Sequence, residues 1–336
     1  MDQFYRLVRL NGLVRSHRLQ FAALLAMHHL RRRYLCLRFD PVMSCNLRCQ
    51  MCYFSAPDYV KEHTGRFTWE QIERFAEVFF PWTLQMYLGC STEPTTDKRF
   101  LDILALAKKY GVPMVGMVTN GQLLTAAHVE RLVDGLVDEL TLSTHGVTKE
   151  TYERMMTRAS FDKFLQLLET LESVKKRKAS SSPQLRMNYV VCPENLAESS
   201  NFFQTYGHVT IRTLQVRPII DWQVSQYRET LAGYQAGYEE VLTTLRRECE
   251  ERKVRLLANL GDFLYTKKTT RAALADEITV YITPESVSKP GFDWQNESYR
   301  DYCKRTGWST TILRRIAASP SRLEAPSTHL GYKVFD

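Results

Sequence analysis

Several features that define common classes of protein are missing from this 336-residue sequence. No apolar run approaches the roughly 18 residues that a membrane-spanning helix needs, and no secretory signal precedes the cysteines. The length and the clustering of the cysteines exclude a small secreted scaffold held by disulfides. No nucleic-acid-binding motif is present, so nucleic acid is not an expected partner. With 44% apolar residues, the sequence predicts a folded cytoplasmic protein.

Acidic residues are nearly absent from the first 33 positions. Seven arginines there face one acid, Asp2, a local excess of +6 in a chain whose net charge is +8. Apolar residues recur at spacings near three and four, which predicts an amphipathic helix. A basic amphipathic helix can lie on an anionic lipid surface, so residues 1–33 predict peripheral contact with the inner membrane surface. The alternative is a leading helix packed on the main domain with its arginines in solvent.

From residue 36, short β-branched or apolar runs alternate with helical patterns. Alternation of this kind predicts a parallel α/β sheet, with its functional rim at the carboxyl ends of the strands. The predicted strands are 35–42, 84–89, 113–119, 139–144, 185–191 and 210–216. The helix candidates are 68–80, 97–110, 125–135, 148–175, 195–206 and, beyond the last of these strands, 233–252, with a further strand around 254–260.

The pattern divides the chain into three expected regions. Residues 1–35 form the basic helical segment, and residues 36–220 form the α/β core. Residues 221–336 form an accessory region on the substrate side, which we expect to be mainly helical, although no pattern assigns a fold to residues 260–336.

Three of the eight cysteines lie within eight residues, in the stretch SCNLRCQMCYF after the first predicted strand. Cys45, Cys49 and Cys52 form a CxxxCxxC set with no fourth cysteine nearby. A structural zinc site uses four ligands, commonly in two pairs. Three closely spaced thiolates suit a cubane iron–sulfur cluster, in which each binds a different iron and the fourth iron stays open. The alternative is a zinc knuckle completed by a distant residue such as His63.

This cysteine set after the first strand of an α/β chain resembles the radical S-adenosylmethionine (radical SAM) superfamily. The stretch GCSTEP (89–94) resembles the family's glycine-rich GGEP element, and TNG (119–121) matches the usual end of the third strand. LSTHGVTKETYERM (142–155) and NYVVCPENLAE (188–198) are similar to the subgroup of peptide-modifying and molybdopterin-biosynthesis enzymes. The resemblance covers roughly residues 36–220 and implies a partial (β/α)6 TIM-type barrel.

The resemblance also implies two cofactors. Cys45, Cys49 and Cys52 would hold a [4Fe–4S] cluster, and S-adenosylmethionine (SAM) would bind its open iron. In that family an electron from the cluster cleaves a C–S bond of SAM, and the resulting 5′-deoxyadenosyl radical abstracts hydrogen from the substrate. A flavodoxin or ferredoxin is the expected electron donor.

Four residues are the expected SAM contacts. Glu93 stands where the family's acidic residue binds the methionine ammonium, and Ser143 would contact the ribose or the carboxylate. Asn120 belongs to the TNG element. Arg158 would stand in for the arginine that is frequent at the position of Met156.

The resemblance identifies no catalytic residue. His145 replaces a common aspartate, and a histidine near the rim can move a proton near neutral pH. Cys90 and Cys192 are predicted near the rim, where a thiol can donate hydrogen to a substrate radical; the alternative is that both are buried structural residues. Arg217, at the end of the sixth strand, would meet an anionic substrate or cofactor, or form a surface ion pair.

No set of cysteines with cluster spacing follows residue 60, which departs from the two-cluster peptide maturases. The predicted reaction is hydrogen abstraction from an unactivated C–H bond. A peptide or protein substrate is suggested by the similarity of residues 142–198, and a polar lipid or glycan-linked metabolite by the basic first segment. The rival hypothesis is a non-catalytic zinc- or cluster-binding module with a degenerate SAM site, because Ser91 and Thr92 stand where glycine is usual.

Overall fold

The computed structural model describes residues 14, 16–219, 224–225, 227–258, 268–319, 325–326 and 333–335. Most of the basic stretch at 1–15 and the end of the strand predicted at 254–260 lie outside these ranges. The described part of the chain forms an open α/β sheet with helices packed against it.

Six parallel strands form the centre of the sheet, at the positions that the sequence predicts. Neighbours along the chain pair with one another in the order β1 to β6. The first strand ends earlier than predicted, because Pro41 has no N–H for the ladder. The strands are β1 (Leu35–Phe39), β2 (Thr83–Leu88), β3 (Met114–Thr119), β4 (Glu139–Thr144), β5 (Gln184–Val191) and β6 (Ile211–Pro218).

Four further strands extend this sheet at both sides. β7 (Arg255–Ala258) continues it in parallel beside β6, close to the predicted strand at 254–260. Two other strands, β8 (Lys268–Thr269) and β11 (Ala325–Pro326), form a separate antiparallel sheet and are not among these four. β9 (Thr279–Thr283) pairs in parallel with β1, so the C-terminal region supplies the strand on the other side of the cysteine loop. β10 (Ser286–Val287) and β12 (Lys333–Phe335) are antiparallel edge strands and leave the sheet open.

Thirteen α-helices surround the sheet within the described ranges. They include four in the C-terminal region, which is helical as expected but also provides the added strands. The helices are α1 (His17–His29), α2 (Pro57–Glu62), α3 (Trp69–Phe79), α4 (Phe100–Lys109), α5 (Ala126–Arg131), α6 (Lys149–Met155), α7 (Phe161–Arg177), α8 (Pro193–Leu196), α9 (Phe202–Tyr206), α10 (Gln235–Arg252), α11 (Thr270–Ile278), α12 (Tyr299–Arg305) and α13 (Trp308–Ala317).

Helix α3 shows how local sequence and packing agree. Thr68 Oγ1 accepts from Gln71 N at 3.2 Å, and Gln71 Oε1 accepts from Thr68 N at 2.8 Å, which forms the predicted capping box. The buried face of the helix contacts the outer face of β1, where the rings of Phe39 and Phe75 stack with centroids 4.2 Å apart. The core thus lies between the sheet and the helices, and alternate strand residues such as Arg38 and Asp40 point to the inner face.

Two helix predictions differ from the structure. The helix predicted at 148–175 is two helices, because Arg158 adopts a left-handed φ of 76° and Ser160 caps α7 by accepting from Lys163 N at 3.3 Å. The helix predicted from Asn195 begins at Pro193 instead, and the side chain of Asn195 accepts from Cys192 N at 2.8 Å.

The first and last helices of the described ranges pack on each other. α1 packs on α13, and His28 stacks on Trp82 while contacting Trp308. Both flanking regions pack against the core, and the C-terminal one also shares its sheet. The division of the chain into three regions stays a prediction. None of the helices in the described ranges is both long and apolar enough to cross a bilayer.

Candidate functional site

A cavity of about 740 Å³ lies at the carboxyl ends of the central strands. Every one of these strands, or the loop after it, contributes to its wall, which is why the rim collects residues from distant parts of the sequence. The lining includes Cys45, Cys49 and Cys52 after β1, Cys90 to Glu93 after β2, Thr119 and Asn120 from β3, Ser143 and His145 from β4, Val190 from β5, Arg217 from β6 and Tyr281 from β9.

The cysteine loop is anchored by its backbone. Arg48 N donates to Thr157 O and Gln50 N to Met155 O, each at 3.0 Å, so the end of α6 holds the loop over the rim. Asn120 connects the loop to β3, because its Nδ2 donates to Asn46 Oδ1 at 2.9 Å. The position of the loop is thus determined by the third and fourth strands as well as by β1.

The three thiols of the loop are free and half-buried. Burial raises the pKa of each one, that of Cys45 to about 12. The thiolate form therefore needs a compensating cation, which an iron centre supplies. Three thiols on one short loop, all facing one cavity, fit a cluster in which each sulfur takes a different iron.

The zinc alternative needs a distant fourth ligand such as His63. Within the described ranges, no three His, Cys, Asp or Glu side chains are arranged to hold one metal ion. His63 pairs with Glu285 through its Nδ1 and does not line the cavity.

Glu93 is the buried carboxylate of the site, with 2% of its surface exposed. Its Oε1 accepts from Thr119 Oγ1 at 2.7 Å and from the side chain and backbone of Thr95, and its Oε2 accepts from Asn120 N at 2.7 Å. Burial raises the pKa of Glu93, and these donors oppose that rise. Oε2 accepts one bond from the described residues whereas Oε1 accepts three, so Oε2 retains capacity for a cationic donor.

Asp40 organises the loop after β2, and sequence reasoning did not identify it. Its carboxylate accepts from the backbone N–H groups of Cys90, Ser91 and Thr92 at 2.8 to 3.4 Å. The hydroxyls of Ser91 and Thr92 donate to the same carboxylate at 2.7 and 3.0 Å. The two residues that replace glycine therefore add hydrogen bonds to this loop. An aspartate directly at a strand end, before Pro41, was the available signal.

Two tyrosines complete this network. Tyr281, on β9, donates to Asp40 Oδ2 and contacts Ser91 Oγ, both at 2.5 Å. Tyr53, next to the last cysteine of the loop, donates to Ser91 O at 2.6 Å. Sequence reasoning missed Tyr281 because its strand was not predicted. The loop that carries Glu93 is therefore held from the first, second and ninth strands.

The β4 rim places its two predicted residues in the cavity wall. Ser143 is half-buried and lines the cavity. His145 is 7% exposed, and its Nδ1 lies 3.3 Å from Val190 N, from which it accepts. Burial, followed by the charge of Arg217, lowers the pKa of His145 to about 3. The side chain is thus neutral near pH 7, which does not suit the proton-transfer role.

Arg158 is not brought to the site. It is exposed, in the left-handed turn after α6, and Met156 lines the cavity instead. Cys192 is fully buried outside the lining and begins α8. Cys90 does line the cavity, and burial raises the pKa of its thiol to about 12. Arg217 faces the cavity and forms no ion pair within the described ranges, contrary to the surface-pair alternative.

The sequence is similar to a known superfamily and to curated proteins. A profile of the radical SAM superfamily matches residues 41–198. A protein of Sulfurisphaera tokodaii named "Probable GTP 3',8-cyclase" is 24% identical over 208 residues, which cover 61% of this chain and 63% of that protein. The "Tungsten-containing aldehyde ferredoxin oxidoreductase cofactor-modifying protein" of Pyrococcus furiosus is 26% identical over 190 residues, 54% of this chain and 51% of that one. The chain spans less than two thirds of the length of both.

Solved structures share the fold at low identity. SuiB of Streptococcus suis bound to the precursor peptide SuiA has a TM-score of 0.59 at 16% identity, covering 80% of this chain and 64% of SuiB. Native anSMEcpe with bound AdoMet has a TM-score of 0.58 at 15% identity, covering 80% of each chain.

The fold and the rim together define a partial α/β barrel with a three-cysteine loop at its carboxyl edge. Together with the matched profile and the curated relatives, these features support membership of the radical SAM superfamily, whose members use a [4Fe–4S] cluster and SAM.

Proposed function

We propose that this chain is a radical SAM enzyme that abstracts hydrogen from an unactivated C–H bond of its substrate. The observation that carries the proposal is the convergence of Cys45, Cys49 and Cys52 with the buried carboxylate of Glu93 on one cavity. When bound, the cluster and SAM supply the one-electron chemistry that generates the hydrogen-abstracting radical.

The chain's own residues bind and orient these groups. The three thiols would bind three irons. Glu93 would accept from the methionine ammonium of SAM, while Asn120 N and the hydroxyls of Thr95 and Thr119 hold the Glu93 carboxylate in place. Ser143, on the neighbouring β4 rim, faces the part of the cavity left for the ribose or the carboxylate.

The test is anaerobic reconstitution with iron and sulfide, reduction with dithionite and detection of 5′-deoxyadenosine formed from SAM. We expect about four irons per chain and nucleoside formation. A Cys45→Ala/Cys49→Ala/Cys52→Ala variant should lose both. The matched control is Cys249→Ala/Cys303→Ala, because both residues are buried outside the cavity lining. Bound zinc with no iron and no nucleoside would instead support the non-catalytic binding module.

A peptide or protein is the first candidate substrate. Residues 142–198 resemble the peptide-modifying subgroup, and the fold is shared with a structure that contains a precursor peptide. No cysteine set with cluster spacing follows residue 60, so a two-electron oxidation that uses an auxiliary cluster is not part of the proposal. A flavodoxin or ferredoxin stays the expected electron donor.

A membrane-associated metabolite is the second candidate, favoured by the outer faces of α1 and α13. At helical spacing, α1 presents an apolar stripe made of Leu19, Ala22, Ala23, Ala26 and Leu30, all exposed. Leu19, Leu30 and, on the neighbouring α13, Leu313 are 63%, 70% and 54% exposed. No acidic residue occurs at 16–33 or at 306–319, whereas arginines flank the stripe. Such a surface fits anionic lipid headgroups around a shallow apolar contact.

Point variants test this contact better than truncation, because Phe21 and Leu24 of α1 are core residues. We expect co-sedimentation with phosphatidylglycerol vesicles but not with phosphatidylcholine vesicles, and its loss in Leu19→Asp/Leu30→Asp. Leu123→Asp, at an exposed leucine elsewhere, is the matched control. Equal partitioning of all three proteins would contradict the membrane hypothesis and would not bear on the proposed radical SAM reaction.

A further inference from the structure

Arg38 is a cationic side chain inside the barrel for which the radical chemistry has no task. It lies on β1 two residues before Asp40, so it points to the same inner face, roughly 7 Å further down the strand. It lines the cavity, and its guanidinium carbon is 4.6 Å from the ring centroid of Tyr87. Strand register places Arg38, Tyr87, Gly116 and Glu139 in one row across β1 to β4.

The other residues of this row fix the position of the Tyr87 ring, on which the Arg38 guanidinium lies. A Cβ at Gly116 would lie 2.3 Å from the Tyr87 ring, so only glycine lets the ring lie across β3. The Tyr87 hydroxyl donates to Glu139 Oε1, and Arg186 reaches the same carboxylate oxygen at 3.2 Å. Tyr87 is therefore held at its far end, and Arg38 lies over a ring that does not move freely.

No carboxylate serves Arg38 among the residues that the structure describes. The buried acids there are Asp40, Glu93, Asp97 and Glu139. Asp40 and Glu93 are held by backbone N–H groups and hydroxyls, Asp97 pairs with Arg99 at 2.7 Å, and Glu139 pairs with Arg186. Arg38 is half-buried, and a cation that is partly withdrawn from water without a paired anion is unfavourable, so the barrel at this depth favours a bound negative charge.

Polar atoms on the opposite strands give a second, independent observation. Thr141 Oγ1, Asn188 Oδ1 and Thr213 Oγ1 are buried and have no hydrogen-bond partner within the described ranges. Thr141 and Thr213 are the register partners of Arg186, and Asn188 is the partner of Ser143, so all three point to the inner face with the cavity residues. A polar ligand would satisfy such atoms. The two threonine hydroxyls can donate to an oxyanion, whereas Asn188 Oδ1 can only accept and would need a donor elsewhere on the ligand.

Resting on the proposed function, we propose that Arg38 binds an oxyanion of the substrate, a carboxylate or a phosphate, inside the barrel below the cysteine loop. The planar guanidinium fork suits both groups through two parallel N–H···O bonds. Arg217, whose charge acts on Cys52 and His145, is the cation at the rim, nearer the proposed cofactors. An anion on Arg38 would place the rest of the substrate between that side chain and the cysteine loop.

Equilibrium dialysis of labelled phosphate and labelled succinate tests the site. The protein is reconstituted, saturated with SAM and left unreduced, so that the cofactor's own carboxylate is already bound and no turnover occurs. We expect one site per chain for at least one of the two anions. Arg38→Gln should weaken binding at least tenfold, and Arg38→Lys, which keeps the charge but loses the fork, should weaken it less. Arg212→Gln, at an exposed arginine of β6, is the control and should bind like the wild type.

The preferred anion distinguishes a phosphorylated substrate from an acidic one. The proposal is overturned if the wild type binds neither anion, or if both Arg38 variants bind as tightly as the wild type. Circular dichroism confirms that each variant is folded. If Arg38→Gln does not fold, Arg38→Lys alone decides. Nucleoside formation without Arg38-dependent binding overturns the anion site only. Arg38-dependent binding without nucleoside formation overturns the proposed reaction only.

Discussion

Replacement of Asp40 by asparagine tests whether this side chain holds the loop that carries Glu93. The carboxylate accepts three backbone N–H groups and the hydroxyls of Ser91, Thr92 and Tyr281. In Asp40→Asn one of the two oxygens becomes an NH2 group. If the NH2 group replaces Oδ2, the hydroxyls opposite it can rotate and accept, but the N–H of Ser91 cannot, so this donor loses its shorter bond and keeps only the 3.3 Å contact to Oδ1.

The magnitude follows from the kind of bond that is lost. A hydrogen bond to a charged group contributes about 1.5–3 kcal/mol, and the bonds that remain become weaker when the acceptor is neutral. We therefore expect Asp40→Asn to lower the free energy of unfolding by about 2–4 kcal/mol. Tyr281→Phe removes one hydroxyl donor and keeps the ring, so its expected loss is about 1–2 kcal/mol.

Urea unfolding of the apo protein in reducing buffer, followed by circular dichroism, measures both values. The double variant should lose less than the sum of the single losses, because both changes act on one network. Asp58→Asn is the control, since Asp58 is exposed and its ion pair with Lys61 contributes little. An Asp40→Asn loss within about 0.5 kcal/mol of this control would refute the assignment.

Three further outcomes follow from the geometry. Glu93→Gln should weaken SAM binding at least tenfold in equilibrium dialysis while the iron content stays unchanged, because the ammonium loses its carboxylate. Gly116→Ala should reduce the free energy of urea unfolding by about 1–3 kcal/mol, because its Cβ collides with the Tyr87 ring. His145 has a folded-state pKa of about 3, below its ordinary value of 6.5. As the pH decreases from 6.5, the unfolded state therefore binds a proton that the folded state does not, and the free energy of unfolding falls. Between pH 7 and pH 5 the wild type should lose about 2 kcal/mol more than His145→Gln, as measured by urea unfolding.

The parts of the fold that sequence alone predicted are those determined locally. Each central strand is a short apolar or β-branched run bounded by turn residues, and the cysteine loop carries its spacing within eight positions. Glu93, Asn120 and Ser143 could be placed because parallel strands bring their carboxyl ends to one rim.

The remaining features depend on contacts between distant residues. In the sequence, Arg38 and Asp40 are two polar residues in an ordinary strand pattern. Their roles become visible only from the contacts that β2 and β9 make with β1. His145 was a titratable side chain by its ordinary pKa, and only its burial beside Arg217 keeps it neutral. Arg158 was the nearest arginine in the sequence, but the left-handed turn directs the chain there toward solvent while Met156 faces inward.

The hydrogen bond between Tyr281 and Asp40 also has a consequence for the order of events during translation. The two residues are 241 positions apart, with the cysteine loop immediately after the earlier one. At about 5–20 residues per second, a ribosome needs roughly 12–48 s to travel from one to the other. Throughout that interval the nascent chain has its three thiols but not the tyrosine that encloses the neighbouring loop, so the wall of the cavity is finished only after most of the chain has been made.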